Sequence, residues 1–427
     1  MIAASCVAFS PLAFAEHDHH MMPDMMPGIS SDPMGPADCE EMEVWDVGMG
    51  MCMPLPMDGM PMRMLMVHGN AFGVYVNPSG PRGRKAVAGP DMLMADIGTS
   101  LGARQYLNLD YMATFEKWTF PDRGYPLLMQ IGEDQPNGQP FLDAQHPHNS
   151  PVMGLTLSDT VKLGKEKDCL KVYFAPRGES TDGPIAFMHR PTGMVNPDAP
   201  LGHHIGQDVG HITSTVIGES LKLGDNHFEI STFHGAEPEP EKVDLPLGTP
   251  DSVSLRYIHD FTPSVTAMAS YAYVNSPEPH APEIGFERRY SASVYTQSQI
   301  LGDWLFHNAF IYGAVTNYDH ASILNSFGEE FWFHKGAPNV WGRIEWLQRT
   351  PAELQISTPS DPNAGEWVAA LTLGYTHTVL SFEGAQLGVG GSATKDFLPR
   401  DFMVAYGGNP WTGKIFIQLG GMNMWGL

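Results

Sequence analysis

Val253-Ser254-Leu255-Arg256-Tyr257-Ile258, followed shortly by Thr266-Ala267-Met268-Ala269-Ser270-Tyr271, is the stretch on which the fold turns. In both runs residue character alternates with a period of two, the signature of a strand whose successive side chains face opposite sides. The same texture recurs at Tyr106-Leu107-Asn108-Leu109-Asp110-Tyr111, Ala292-Ser293-Val294-Tyr295-Thr296 and Leu371-Thr372-Leu373-Gly374-Tyr375-Thr376. Further strands are predicted near 67–76, 92–101, 152–162, 169–175, 211–221, 227–233, 305–315, 329–334, 340–347, 383–390 and 414–420, separated by Gly, Pro, Asn and Asp. The alternation is mixed, as where Phe306, Asn308, Phe310 and Tyr312 stand opposite His307, Ala309 and Ile311. A soluble sandwich or propeller would bury the apolar set, whereas a transmembrane barrel turns it outward to lipid.

Length and spacing favour the barrel. Several segments are about 9 to 12 residues long, which suits a tilted membrane strand. No fixed repeat supports a propeller, and no stretch reaches the roughly 18 apolar residues of a spanning helix. The expected fold is all-β, a single antiparallel transmembrane β-barrel of about 14 to 16 strands over residues 67–427, with an even strand count. Trp118, Trp304, Trp341 and Trp346, at segment ends, could form interfacial belts; the alternative is ordinary core tryptophan. Four stretches interrupt the strands, at 121–151, 176–210, 235–250 and 348–366; the first two are suspected of a functional role, external or folded into the lumen, and the last reads as a plain polar loop.

The chain has 427 residues, with 48 Asp and Glu against 24 Lys and Arg and a formal charge of -24. That balance offers nucleic acid no basic stripe and draws cations instead. Residues 1–15 are mostly apolar and end Ala13-Phe14-Ala15 ahead of Glu16, which resembles a secretory signal. Export would permit a disulfide between Cys39 and Cys52; the alternatives are two free thiols or two metal ligands.

Between Met21 and Met66 lie fourteen methionines, in phrases interrupted by Pro and Gly that carry no strand or helix period. Residues 16–66 are therefore expected to be disordered. Thioether, imidazole and thiol donors together favour Cu(I) over hard cations. The candidate ligands are His17, His19, His20, Met21, Met22, Met25, Met26, Met49, Met51, Cys52, Met53, Met57, Met60 and Met62. The opposing reading is a compositionally biased linker that binds nothing.

A second concentration of chemistry lies in the interrupting stretches. It comprises Asp143-Ala144-Gln145-His146-Pro147-His148, Phe187-Met188-His189-Arg190-Pro191 and His203-His204-Ile205-Gly206-Gln207-Asp208-Val209-Gly210-His211. His203, His204, Asp208 and His211 could converge with His146 or His148 on Cu(II) or Zn. His204, Asp208 and His211 would share one face if that stretch were helical. The competing reading is a loop clamp, in which proline stiffens the chain, imidazoles satisfy carbonyls or carboxylates, and Arg190 pairs with Asp143 or Asp208. Enzymatic motifs are missing: there is no Gly-x-Ser-x-Gly elbow, His-Glu-x-x-His pair or Gly-rich phosphate loop. A metal-activated water held by His146, His148 and His211 is the nearest enzyme argument.

Tyr125-Pro126-Leu127-Leu128, Gln145-His146-Pro147-His148, Phe187-Met188-His189-Arg190-Pro191 and Asn196-Pro197-Asp198-Ala199-Pro200 with His203-His204 occur in this order. Together with Gly80-Pro81-Arg82-Gly83 and Tyr406-Gly407-Gly408-Asn409-Pro410, they resemble a family of poorly characterised bacterial outer-membrane β-barrels often encoded near copper and heavy-metal resistance genes. The resemblance runs from about His68 to the C terminus. It implies an outer-membrane location with lipid around the barrel and metal ions or small solutes as ligands. In such a barrel the N-terminal segment, by its position ahead of the first strand, would lie on the periplasmic side, where it would collect ions or pass them to a periplasmic metal-handling partner. Family members carry an aspartate after the His-Pro-His element, where this chain has Asn149, so one anionic candidate ligand is lost. The expected function is a barrel that binds or passes small solutes or metal ions and is linked to copper handling; the alternatives are a structural outer-membrane protein and a metal-dependent enzyme using the loop histidines.

Overall fold

The computed structural model describes residues 43–46, 51–54 and 63–426, apart from 136, 149–150, 165–167, 241, 246, 278–283, 301, 303, 317–321, 358–360 and 383. Sixteen antiparallel strands close into one barrel. In chain order they are β1 (Arg63–Pro78), β2 (Asp91–Ser100), β3 (Gln105–Ala113), β4 (Gly154–Lys162), β5 (Cys169–Gly178), β6 (Thr213–Leu223), β7 (Asn226–His234) and β8 (Ser252–Thr262). The second half is β9 (Val265–Asn275), β10 (Phe286–Ile300), β11 (Trp304–Thr316), β12 (Ile323–His334), β13 (Pro338–Arg349), β14 (Glu366–Phe382), β15 (Ala385–Phe397) and β16 (Trp411–Gly426). The barrel closes where β16 pairs with β1, from Thr412 opposite Pro78 to Gly426 opposite Met64. A short strand, Ala86–Ala88, prolongs β2 along β1 beyond the break at Gly89-Pro90, where proline cannot donate to the ladder.

Every stretch expected as a strand overlaps one of these sixteen, although the first begins at Arg63, ahead of the expected residue 67, and those expected from 152, 211 and 383 begin at Gly154, Thr213 and Ala385. The alternation also shows which face is which. In β8 Ser252, Ser254 and Arg256 are buried while Val253, Leu255 and Tyr257 are exposed, Leu255 at 50%. On β16 Ile415 is 66% exposed. Apolar residues outward and polar residues inward is the pattern of a lipid-facing barrel, the reverse of a soluble sandwich. Trp118 and Trp346 are exposed as a belt requires, but Trp341 is a correction. It faces the lumen, fully buried, and its indole N–H donates to Thr376 at 3.1 Å.

Turns at one end are short: 101–104, 224–225, 263–264 and 335–337. The connections at the other end include 114–153, 179–212, 235–251, 350–365 and 398–410, and the strand ends at Arg63 and Gly426 lie with the short turns. In outer-membrane barrels the short turns are periplasmic. The connection at 350–365, expected to be a plain polar loop, packs inward instead, burying Glu353, Leu354 and Ile356.

Inward folding of the long connections is recorded by bonds from strands around the circle. On β13, Arg349 donates to Met129 O (3.0 Å) and Leu201 O (2.5 Å), and Arg343 to Asp198 O (2.9 Å). On β12, Glu330 receives both arms of the Arg190 fork at 2.8 and 3.0 Å, and Lys414 of β16 pairs with Asp198. Arg190 therefore pairs with the barrel wall, correcting the expected partners Asp143 and Asp208. Asp143 instead accepts from Arg82 (2.5 Å) and Tyr406 Oη (2.6 Å).

Of the N-terminal candidates, His17, His19, His20, Met21, Met22, Met25, Met26, Met49, Met57, Met60 and Met62 lie outside the described residues, as does Cys39. Met51, Cys52 and Met53 lie on the second strand of a separate two-stranded sheet, Glu43–Asp46 with Met51–Pro54, in which Cys52 stands opposite Trp45.

A buried histidine cluster as the candidate functional site

The His-Pro-His element is set by a two-residue pairing of Tyr125–Pro126 with Ala144–Gln145 and by Gln145, whose side-chain oxygen accepts the Ala199 N–H at 3.2 Å. His148 is held twice by Glu116, through its backbone N–H (2.9 Å) and its ring Nδ1 (2.5 Å). Glu116 opens a one-turn helix, Glu116–Thr119, and is itself buried.

His203 and His204 arrive on a tight turn, not the helix that would have aligned His204, Asp208 and His211. Gly206 has φ +69°, a region costly for residues with a Cβ. A Cβ there would come within 2.9 Å of the Gly313 Cα and of Ala314 N on β11, so the loop docks backbone against backbone. Ser326 of β12 completes the docking by donating to Ile205 O at 2.6 Å. His211 is oriented by its Nδ1, 2.7 Å from Asp208 O.

Five of the predicted histidines meet. Ring centroids are 4.6 Å apart for His203 and His204, 4.8 Å for His203 and His211, 5.0 Å for His148 and His211 and 5.4 Å for His146 and His204. His148, His203 and His211 each offer a nitrogen within 4.8 Å of the others, a spacing that one ion could bridge. Among the described residues His203 Nδ1 and His211 Nε2 have no hydrogen-bond partner although both are buried. Beside this set, Glu133, His204 and Glu237 form a second group within the same separation, which meets the first where His204 stacks on His203, and His146 Nε2 lies 3.3 Å from His204 Nε2. A cavity of about 30 Å³ lies between them, lined by the histidines, Glu133, Glu237 and Pro238.

Burial governs the protonation of these loop groups. It lowers His148 and, with help from His148, His146 to about 4. It lowers His204 to about 3, and His203 and His211 well below the ordinary histidine range. All five are neutral imidazoles at neutral pH, the form that binds metals. Burial raises Glu116 to about 8 against the pull of the His148 N–H. Burial would raise Glu237 too, but Arg289, 2.9 Å away, together with Glu133 and His204, holds it at about 2.

One predicted residue stands apart: His189 pairs with Glu179 at 3.2 Å. Asp208 borders the cluster, one carboxylate oxygen accepting the Phe187 N–H at 2.9 Å and the other lying 3.6 Å from His211 Nδ1. Glu116, Glu133 and Glu237 were not singled out from the sequence.

No known protein family matches the chain, and no curated protein does. Among solved structures it is similar to Salmonella typhi OmpF in complex with daunomycin, with a TM-score of 0.55 and 10% identity over 90% of this chain and 100% of that one. It is similar also to an anion-selective porin from Comamonas acidovorans, with a TM-score of 0.50 and 10% identity over 85% of this chain and 99% of that one. The chain has the bacterial porin fold. With its outward apolar face it is an outer-membrane barrel, and the histidine cluster sits in its lumen.

Proposed function

We propose that this outer-membrane barrel binds a transition-metal ion, Cu(II) or Zn, at the lumen histidines, and that it passes only solutes of about ion size. The observation that carries the reading is the convergence of His148, His203 and His211, with buried ring nitrogens of His203 and His211 left unpartnered. A buried unsatisfied polar atom costs about 1–3 kcal/mol, which coordination would offset. Glu116 would act from the outer side, its carboxyl group fixing the His148 ring and giving up its proton as an ion binds, in the manner of carboxylates behind metal-bound imidazoles. His146 and His204 supply further nitrogen donors, while His189 and Asp208 serve the loop scaffold. The restriction to small solutes rests on the docking of 114–153 and 179–212 across the lumen by Arg190, Arg343, Arg349 and Lys414.

Copper handling is supported by the methionine-rich segment, which would bind several Cu(I) ions weakly on the periplasmic side and pass them to a metal-handling partner. Metal analysis of purified protein, with Zn and Cu(II) titrations of wild type and a His148→Ala/His211→Ala variant, tests the lumen site. Wild-type binding lost in the variant supports it, and no binding by wild type refutes it. Planar-bilayer conductance tests passage: a wide, unselective pore would contradict it. A metal-dependent enzyme is the second reading, favoured by the cavity beside the cluster, whose 30 Å³ is room for water. It requires turnover that His146→Ala and His211→Ala abolish. A purely structural outer-membrane protein would show neither conductance nor metal response.

A further inference from the structure

A porin lumen is polar, because alternation sends the apolar residues out to lipid. On one arc of this barrel several inward positions are methionine instead, beside the polar Asp96, Asn108 and Asp110. Met64 and Met66 of β1, Met92 and Met94 of β2 and Met112 of β3 are all buried in one cluster, against which Met422 of β16 packs. The ladder registers set them side by side. His68 of β1 stands opposite Met94 on one flank and Met422 on the other, and Met94 stands opposite Met112. Directly opposed residues of an antiparallel pair have Cβ atoms about 4.5–5.5 Å apart. One row across four strands therefore reads thioether, imidazole, thioether, thioether.

Methionine alone is an adaptable packing residue and would call for no ligand. The imidazole changes the argument. His68 is 6% exposed, and among the described residues its Nε2 has no hydrogen-bond partner. A row meant only to pack would place an aliphatic side chain there and avoid about 1–3 kcal/mol of desolvation. Thioether with imidazole is a soft donor set that selects Cu(I) over Zn, Mg or Ca.

We propose that this row is a Cu(I) site, with His68 Nε2 and the thioethers of Met94 and Met422 as ligands. Met66 and Met64 prolong it toward the short-turn end, where β1 is entered from the methionine-rich segment. Toward the loops the same cluster includes Phe187, whose ring centroid is 6.0 Å from that of His203. The site thus lies between the two regions where the sequence concentrates metal donors. It stands on its own donors, so failure of Zn or Cu(II) to bind the loop histidines leaves it intact.

The test uses the full chain in detergent micelles. Anaerobic Cu(I) titration against a chromogenic chelator compares wild type with Met94→Leu/Met422→Leu, which removes both sulfurs at nearly constant volume, and with His68→Gln. Each variant is expected to hold about one fewer tight Cu(I) per chain. In wild type carrying ¹³C-methyl methionine, Ag(I) as a redox-inert stand-in is expected to shift the Met94 and Met422 methyl signals, which the single Met→Leu variants assign. Equal Cu(I) number and affinity in wild type and the folded double variant would overturn the site. So would methyl signals of Met94 and Met422 that Ag(I) leaves unmoved, a readout needing no variant in the titrated sample.

Discussion

The Arg190 clamp and the histidine cluster are built from the same two connections and differ in how far their buried polar atoms are satisfied. Around Arg190 the hydrogen bonding is dense: Glu330 takes two of its N–H groups, Ile185 O a third at 2.7 Å, and Glu330 also receives Thr192 and Arg343. Around His203 and His211, buried just as deeply, one ring nitrogen on each is left without a partner. Buried polar groups are normally satisfied, so the clamp is what stability demands and the cluster is what stability alone does not explain. Both sequence readings of these loops, clamp and ligand set, thus find residues suited to them, and the residues are different ones.

The comparison breaks most severely at Glu330. Glu330→Ala leaves Arg190 and Arg343 facing each other without their carboxylate, a loss of about 3–5 kcal/mol for a buried pair. The connections should undock while the barrel persists, read as a large rise in single-channel conductance with the folded electrophoretic mobility retained. An unchanged conductance would show that the loops are held elsewhere. Next comes Glu116→Ala, which removes the group behind His148; metal affinity is expected to fall about 10- to 100-fold, the usual effect of an outer carboxylate, with conductance unchanged. Gly206→Ala forces a Cβ into an unfavourable backbone region at about 1–2 kcal/mol and against β11. Metal affinity should drop by less than for Glu116→Ala, and protease nicking between residues 203 and 211 should increase. The smallest effect belongs to Asp208→Asn. Its carboxylate accepts a backbone N–H and meets only the His211 Nδ1, the ring nitrogen already held by Asp208 O, so metal affinity should stay within about twofold, and a loss near that of His211→Ala would return Asp208 to the ligand set.

Strand positions were legible because lipid on one side and water on the other impose a period of two that survives in segments such as 253–258. Which wall a tryptophan faces was not, since Trp341 and Trp346 both sit in β13 and differ only in parity. The five histidines were legible because they crowd into two short loop motifs, His146-Pro147-His148 and His203 to His211. Their carboxylate partners were hidden: Glu116 is 32 residues from His148 in sequence, and nothing marks it, Glu133 or Glu237 among 48 acidic residues. The turn at Gly206 defeated the helical spacing of His204, Asp208 and His211 because one left-handed glycine rotates everything after it. The ligand candidates before Arg63 lie outside the described residues, apart from Met51, Cys52 and Met53.

The pairing of β16 with β1 has a consequence for time as well as space. His68 and Met422 come from strands 354 positions apart by residue number, and they become neighbours only when the last strand finds the first. Contacts so distant along the chain are the slowest to form. A half-assembled barrel would carry the sulfurs of β1 to β3 as an open ledge with no opposite bank, so capture by the complete donor set reports that the seam has been sewn.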